Sequence, residues 1–263
     1  MKNFIIGAVI GLIVIAIGIG MSTGKIVIPG QGDTTDTETQ TATTTPAIIT
    51  ISEKKVEEQK GKVLYTFSIP QITNATLLQE NIDAYVDGFK KGIAEMAEDI
   101  DFEGASANYS LNINYDVVRK DAQIVVIKMS ASEYTGGAHG NPSFAFFMYD
   151  VEAKRMISEE EIFTNKTDVR LIKIVADALI KKPEYNFTDR GVTKSVFFDA
   201  NDDKQSFVDN VAVGGSIAPT ANGILFKYGA YAIGPYVIGE PEVEIAYAQM
   251  EPFLSAYTKT FFK

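Results

Sequence analysis

The 263-residue sequence contains no cysteine, no tryptophan and a single histidine. Without cysteine there can be no disulfides, thiolate catalysis, zinc–thiolate sites or cysteine-linked lipid anchor. A zinc hydrolase normally needs two or three histidines, so one imidazole argues against that class. His139 is the only imidazole that could activate a serine nucleophile, and no Gly-x-Ser-x-Gly motif accompanies it. We therefore assign no catalytic residue and predict no cofactor.

Basic residues are outnumbered by acidic ones, 24 to 34, which gives a formal net charge of −10. An acidic surface repels phosphate backbones, so we expect no nucleic-acid partner. The same charge would attract a cationic protein over long range, and it also serves solubility. Residues 199–203 match the first ligand positions of a calcium loop, but Lys204 stands where that loop needs glycine. A solvated acidic loop is the preferred interpretation, and we predict no metal site.

An apolar run without any charged residue occupies residues 4–21, directly behind Lys2 and Asn3. Eighteen residues just span the hydrocarbon core of a bilayer as a helix. The alternative is a cleaved signal peptide, which usually has a shorter apolar core and an Ala-x-Ala-like exit. We favour an uncleaved transmembrane anchor over residues 1–24. The positive charge before it predicts a single-pass protein at the cell membrane, with its N terminus cytoplasmic and its bulk extracytoplasmic.

A polar, low-complexity segment follows the apolar run. Eight threonines lie between residues 30 and 46, and the segment has almost no apolar surface to bury. We therefore predict a disordered linker over residues 25–46. Residues 47–263 then form the folded ectodomain, with a division near residue 183 into two subdomains, 47–183 and 184–263, as an alternative.

The first part of the ectodomain predicts two strands and a long helix. Strand-like runs occupy residues 48–58 and 62–69, and we expect Pro70 to end the second strand. Apolar residues then recur every three or four positions from Leu78 to Ile100, which is typical of an amphipathic helix.

Three β-like runs follow in succession, over residues 109–117, 124–134 and 144–151. Short connections between them predict an antiparallel meander with the long helix on one face. A second amphipathic helix is predicted from Leu171 to Ile180, ended by Pro183. Further strand signals and a closing helix complete an α+β fold, in which antiparallel sheets pack against two amphipathic helices. The further segments are a strand from Gly215 onwards that reaches a turn at Asn222-Gly223, strands over 224–228 and 243–245, and a helix over 250–257.

Residues 134–141 read Tyr-Thr-Gly-Gly-Ala-His-Gly-Asn and connect the last two strands of the meander. Glycines this dense indicate backbone with positive φ or a close approach by another group. One interpretation is an ordinary hairpin connection. The other is a rigid rim that presents Tyr134, His139 and Asn141 to a partner. His139 itself is expected to bond backbone groups of the turn, with a ligand contact as the alternative.

A second glycine- and proline-rich motif, Gly-Pro-Tyr-Val-Ile-Gly-Glu-Pro-Glu-Val, spans residues 234–243. Together with Tyr149-Asp150, the two motifs resemble the extracytoplasmic domain family shared by the anti-sigma factor and lysozyme receptor RsiV and the accessory region of the peptidoglycan deacetylase PdaC. The likeness covers about residues 47–257 and implies an α+β ectodomain in a bacterial envelope protein. We predict partner contacts at Tyr134, His139, Asn141, Tyr236 and Glu240, and structural turn roles at Gly136, Gly137, Gly140, Pro235 and Gly239.

The resemblance implies more about fold than about activity. RsiV-like anti-sigma factors carry a sigma-binding segment before the membrane helix, and PdaC-like enzymes carry a deacetylase domain after this region. Neither segment is expected here, so we expect the module alone. The preferred function is a binding or sensing module for a cell-wall component, such as peptidoglycan, or a cationic wall-degrading enzyme such as lysozyme. The alternative is an enzyme that modifies envelope glycan through two carboxylates, one with a raised pKa.

Overall fold

The computed structural model describes residues 48–99, 109–189, 192–197 and 204–262. The predicted transmembrane helix, the linker and the calcium-like residues 199–203 lie outside the described residues. Residues Pro46–Lys263 form one compact unit. Across the described ranges, none of the helices has the length and apolar character needed to cross a bilayer.

A six-stranded sheet in the order β1-β2-β3-β4-β5-β6 forms the centre of the domain. Helix α1 connects β2 to β3 and returns the chain across the sheet, so these two strands run parallel. The other neighbours are antiparallel, and the predicted meander of β3, β4 and β5 is confirmed. The sheet is therefore mixed, and not antiparallel throughout as predicted. The elements are β1 (Thr50–Lys60), β2 (Val63–Thr73), α1 (Thr76–Asp99), β3 (Tyr109–Lys120), β4 (Ile124–Tyr134), β5 (Asn141–Asp150) and β6 (Arg155–Ile157).

The prediction that Pro70 ends the second strand is wrong. Strand β2 continues to Thr73, and Pro70 pairs opposite Glu53 of β1. Strand β3 pairs with β2 only from Val63 to Phe67, so one edge of β2 is unpaired at Pro70. A proline, which has no N–H to donate, is tolerated at such an edge.

Helix α1 covers one face of the central sheet. Its buried side chains Leu78, Ile82, Val86 and Ile93 follow the predicted spacing and join a core with β2, β3, β4 and β5. The opposite face of β4 and β5 belongs to a second core, which includes the buried face of the predicted second helix, α2 (Val169–Lys181). Strand β4 therefore lies between two apolar layers.

The second layer also contains a three-stranded antiparallel sheet in the order β11-β10-β9 and a hairpin of β7 and β8. The segment between α2 and β9, which showed no clear pattern in sequence, supplies that hairpin and a third helix, α3. The closing helix is split, because Pro252 cannot donate to the preceding turn. The elements are β7 (Asn186–Asp189), β8 (Val192–Ser195), α3 (Lys204–Gly214), β9 (Gly215–Pro219), β10 (Gly223–Tyr228), β11 (Glu242–Ala246), α4 (Tyr247–Met250) and α5 (Ala256–Lys259).

Arg119 ties the end of β3 to the C-terminal segment. Its side chain is 7% exposed, and Nε donates to Asp121 Oδ2 at 2.6 Å. Nη1 and Nη2 donate to the carbonyl oxygens of Thr220 (3.1 Å) and Phe261 (2.5 Å). One buried guanidinium thus satisfies backbone acceptors from two distant segments.

Replacing Arg119 with alanine should lower the free energy of unfolding by about 2–3 kcal/mol, because charge-assisted hydrogen bonds are lost and two carbonyl oxygens lose their donor. Denaturant unfolding measures the effect. The control is Lys120→Ala, which removes an exposed neighbouring charge and should change stability by less than about 0.5 kcal/mol. Equal effects from the two variants would contradict the structural role of Arg119.

Candidate functional site

The loop between β4 and β5 is a defined turn that depends on glycine. Gly136 and Gly137 have φ values of +94° and +109°, which L side chains rarely adopt. A Cβ on Gly140 would lie 3.2 Å from the carbonyl oxygen of Glu133, tighter than most Cβ contacts. The hydroxyl of Tyr134 donates to the carbonyl oxygen of Gly137 at 3.2 Å. We call residues 135–140 the glycine loop.

The second motif forms a bend between β10 and β11, residues 229–241. Its backbone is left-handed at Tyr231 (φ +67°) and at Gly239 (φ +68°). Pro235 precedes a short 3₁₀ turn over Tyr236–Ile238, where its fixed φ suits the N-terminal position. The bend leaves Tyr231 63% exposed and Val237 87% exposed. Large side chains this exposed are candidates for contact with a partner.

The glycine loop and the bend meet through two aromatic rings. The centroids of His139 and Tyr236 lie 3.9 Å apart, with 23° between the ring planes. The Tyr236 hydroxyl donates to the carbonyl oxygen of Gly140 at 2.9 Å, and His139 Nδ1 lies 3.0 Å from the same oxygen. Because a carbonyl oxygen only accepts, Nδ1 carries the proton in this contact. Tyr231 adds a third ring 5.3 Å from Tyr236.

We call His139, Tyr231 and Tyr236 the aromatic rim. His139 and Tyr231 are exposed, and Tyr236 is half-buried between them. Left-handed backbone on both segments and a shared acceptor at Gly140 hold the rings in place. A partner that stacks on this surface would therefore lose little additional conformational freedom of the protein.

Glu133 and Ser143 lie near the glycine loop on the face of the sheet that α1 covers, and Glu240 lies in the bend beside Lys227. Ser143 pairs opposite Ala131, a member of the α1-side core, while Glu133 pairs opposite Asn141. The ring of Tyr85 on α1 packs 5.7 Å from that of Phe147 on β5. We call Tyr85, Glu133, Ser143 and Glu240 the polar cluster.

Three atoms of the polar cluster are buried and form no hydrogen bond of good geometry among the described residues, although the Tyr85 and Ser143 side chains contact each other. They are the Tyr85 hydroxyl, Ser143 Oγ and Glu240 Oε1. Burial raises the pKa of Tyr85 to about 12; a hydrogen-bonding contact with the Ser143 side chain opposes this shift, and the charges of Glu240 and Glu133 add to it. Burial also raises the pKa of Glu133. The Tyr85 hydroxyl therefore lies within the electrostatic reach of both carboxylates.

Lys227 occupies the other side of Glu240. Its ammonium lies 3.3 Å from Glu240 Oε2 and 3.0 Å from Glu242 Oε2, and its side chain is 7% exposed. The same ammonium lies 5.1 Å from the ring centroid of Phe144. One oxygen of Glu240 is thus paired with a cation, while the other has no partner among the described residues.

The residues predicted as partner contacts take different positions. His139 and Tyr236 stack on each other, and Tyr134 is tied to the glycine loop through its hydroxyl. The exposed side chain of Asn141 begins β5, whereas Glu240 is 19% exposed and pairs with Lys227.

Three functional candidates escaped the sequence analysis. Tyr231 stands in an irregular, glycine-rich segment, and an aromatic residue there is a signal that could have identified it. Tyr85 occupies an apolar position of the α1 pattern, so nothing in the sequence marks its hydroxyl as buried. Ser143 belongs to no motif and carries no signal at all.

Cavities elsewhere in the described part of the chain offer less chemistry. One of about 520 Å³ surrounds Arg119, whose donors already bind backbone oxygens and Asp121. Another of about 210 Å³ is lined mainly by apolar side chains with Glu159, whose pKa is raised by burial. Over the described ranges, no group of three or more His, Asp or Glu side chains is arranged to hold a metal ion.

Two family models match the sequence in succession. One, described as deacetylase PdaC, matches residues 36–142, and the other, described as a protein of unknown function (DUF3298), matches residues 160–248. The chain belongs to the PdaC/DUF3298 domain family. The glycine loop lies in the PdaC match and the bend lies in the DUF3298 match, so the aromatic rim of this PdaC/DUF3298 chain forms where the two matched segments meet.

Known members of the PdaC/DUF3298 family agree with this assignment. The peptidoglycan-N-acetylmuramic acid deacetylase PdaC of Bacillus subtilis is 30% identical over 86 residues, which is 32% of this chain but 18% of the deacetylase. A DUF3298-family structure from Bacteroides fragilis has a TM-score of 0.51 at 19% identity and covers 79% of this chain and 94% of that one. One from Pseudomonas aeruginosa has a TM-score of 0.54 at 17% identity, with 81% and 97% covered. These structures show a shared fold.

Replacing Gly137 with alanine should destabilise the domain by about 1–2 kcal/mol, because a Cβ strains backbone with a φ of +109°. Thermal and denaturant unfolding measure the change. Gly88→Ala is the matched control, since Gly88 lies in α1 with open space around its Cα. That variant should stabilise the domain by about 0.5–1 kcal/mol. If only Gly88→Ala lost stability, two assignments would be contradicted: the strain expected at Gly137 and the helical position with open space at Gly88.

His139→Ala should lower stability by about 1 kcal/mol, because a hydrogen bond to Gly140 and a ring stack are lost. A double-mutant cycle with Tyr236→Ala isolates the contact between the rings. We expect a coupling energy of about 0.5–1.5 kcal/mol. Additive effects of the two substitutions would show that the loop and the bend are held together by other contacts.

Proposed function

We propose that this PdaC/DUF3298 domain is a binding or sensing module of the bacterial cell envelope, and that the aromatic rim recognises a cell-wall component. In this proposal the apolar run at residues 4–21 anchors the protein in the membrane and the domain is extracytoplasmic. The observation that carries the proposal is a surface set of three aromatic rings, two of them exposed and one half-buried, held in place by two turns with positive φ. A relative named for its action on peptidoglycan supports the choice of ligand.

The chemistry of the rim suits a saccharide. Tyrosine combines a large apolar ring with a polar hydroxyl, and it covers contact area with little loss of side-chain entropy. A sugar ring presents C–H groups on its faces and hydroxyls at its edge, so Tyr231 and Tyr236 could contact both. The half-buried Tyr236 is fixed by its bond to Gly140, which leaves Tyr231 as the more accessible stacking surface.

A cationic wall-degrading enzyme such as lysozyme is a second candidate partner. The formal charge of −10 would speed its association through long-range attraction. Net charge accelerates encounter without selecting a surface, whereas the rim is a specific surface. We therefore place the wall component first and include lysozyme in the test.

An enzyme that acts through two carboxylates is less well supported by the geometry. Glu133 has a pKa raised by burial, as a general acid would need, and Glu240 is a second carboxylate whose charge acts on the same tyrosine, Tyr85. However, Glu240 Oε2 pairs with Lys227 and Oε1 is buried. A nucleophile or base must reach the substrate, so this arrangement favours binding.

The test is binding of the full-length protein, in detergent, to purified peptidoglycan fragments. Tyr231→Asn removes the most exposed ring while asparagine still tolerates the positive φ. We expect a roughly tenfold weaker Kd, since a central aromatic contact is worth about 1–2 kcal/mol. The control is Val169→Ala, which removes another exposed apolar side chain. Binding of lysozyme without binding of fragments, or equal affinities for both variants, would reject the rim as a wall-recognition surface.

A further inference from the structure

Strand β1 is an edge strand of the central sheet. All eleven of its residues pair antiparallel with β2, and its other edge pairs with no strand among the described residues. An edge of this length presents a row of backbone N–H and C=O groups with which another strand can pair. Because proteins often protect such an edge with charged side chains, the charges of β1 decide which strand it can accept.

The centre of β1 reads Lys-Lys-Val-Glu-Glu over residues 54–58. Two positive and two negative side chains thus stand on either side of Val56, which is half-buried, and all four are exposed. A strand that pairs with this segment must carry charges that match it position by position.

Contacts within the chain leave these charges exposed. Lys55 lies 3.3 Å from Glu53 of the same strand, and Lys90 of α1 lies 3.8 Å from Glu58. The side chains of Lys55 and Glu58 are still 76% and 47% exposed. Surface ion pairs of this kind contribute little to stability, so both side chains can turn to a second strand.

A second copy of β1 carries the matching charges. Two identical strands related by a two-fold axis pair antiparallel, and the residue on the axis lies opposite its own copy. With Val56 on the axis, Lys54 lies opposite Glu58 of the second copy. Lys55 likewise lies opposite Glu57, and each of these pairs occurs twice. A register centred on any of the four charged residues would instead place two like charges opposite each other, which is destabilising.

We propose that β1 pairs with β1 of a second copy of this chain, antiparallel and in the register centred on Val56, so that the central sheet continues across a two-fold axis. The backbone groups along the edge of each copy then gain hydrogen-bond partners. The order of charges selects this partner, since an unrelated strand would need the same order to avoid like-charged pairs. The inference concerns assembly and depends neither on the rim nor on its ligand.

The absence of cysteine makes the register directly testable, because a single introduced cysteine can form a disulfide only with another chain. In the proposed register, Val56→Cys places two thiols opposite each other with their Cα atoms about 5 Å apart, which suits a disulfide. Ser52→Cys is the matched control on the same strand, since its two copies would lie about 26 Å apart. Ser52 is the more exposed position, so accessibility alone predicts faster cross-linking there.

The measurement is the initial rate at which the full-length protein in detergent forms a disulfide-linked dimer, with copper phenanthroline as the oxidant. We expect Val56→Cys to cross-link roughly tenfold faster than Ser52→Cys, because pairing holds its thiols together. Equal rates for the two variants would overturn the inference.

Charge reversal tests the choice of partner. Glu57→Lys, added to Val56→Cys, places lysine opposite Lys55 twice and should slow cross-linking roughly tenfold. Adding Lys55→Glu as well restores opposite charges and should restore the rate. Glu152→Lys is the control, because it makes the same change of net charge in an exposed turn between β5 and β6. Its rate should equal that of Val56→Cys alone. An unchanged rate with Glu57→Lys, or no recovery with Lys55→Glu, would overturn the inference.

Sedimentation provides a measurement that needs no substitution at Val56. The unmodified full-length protein should sediment as a dimer at concentrations at which Glu57→Lys is monomeric. If the unmodified protein stayed monomeric at the highest attainable concentration, the charges would only protect the edge, and the inference would be overturned. Because no ligand enters these experiments, their outcome leaves the proposed function untouched.

Discussion

Burial of strand β4 on both faces is the constraint on which the rest of the domain depends. Ile124 and Val126 face the core that contains α2, while Val125, Ile127 and Met129 face the core that contains α1, and all five are fully buried. Complete burial of such a side chain is worth about 1.5–3 kcal/mol. The burial of these five side chains is comparable in size with a domain's net stability of about 5–15 kcal/mol, so loss of the packing around this strand would unfold the domain.

The candidate site lies where this buried strand reaches the surface. Strand β4 ends at Tyr134, and the glycine loop follows it directly. The second core holds β10 and β11, between which the bend emerges. Both segments are therefore anchored in packed layers, and their meeting at His139 and Tyr236 joins the PdaC-matched and DUF3298-matched parts of the chain.

One atom of the polar cluster differs from other buried polar groups of the domain. Arg119 bonds two carbonyl oxygens and Asp121, and the Tyr257 hydroxyl bonds Asp150. The Tyr228 hydroxyl, whose pKa is raised by burial, donates to the carbonyl oxygen of Val211. These pairings compensate for desolvation, as native folds generally require. Glu240 Oε1 differs from them, because it is buried without a hydrogen-bond partner among the described residues.

Local patterns accounted for much of this fold. The spacing of apolar residues identified α1 and α2, and the alternation of strands and short loops identified the β3-β4-β5 meander. The density of glycine correctly indicated positive φ at Gly136 and Gly137. Such features can be inferred from sequence because helix periodicity and turn conformation depend on residues only a few positions apart.

Long-range packing decided the remainder. The parallel pairing of β2 with β3, the continuation of β2 through Pro70, and the pairing of Glu240 with Lys227 depend on which segments meet across the domain. The contact between Tyr236 and Gly140 joins residues 96 positions apart, and no local signal encodes it. A side chain's hydrogen-bond partners are set by the neighbours that the fold supplies. The sequence could therefore mark both motifs, while only the tertiary structure brought them together.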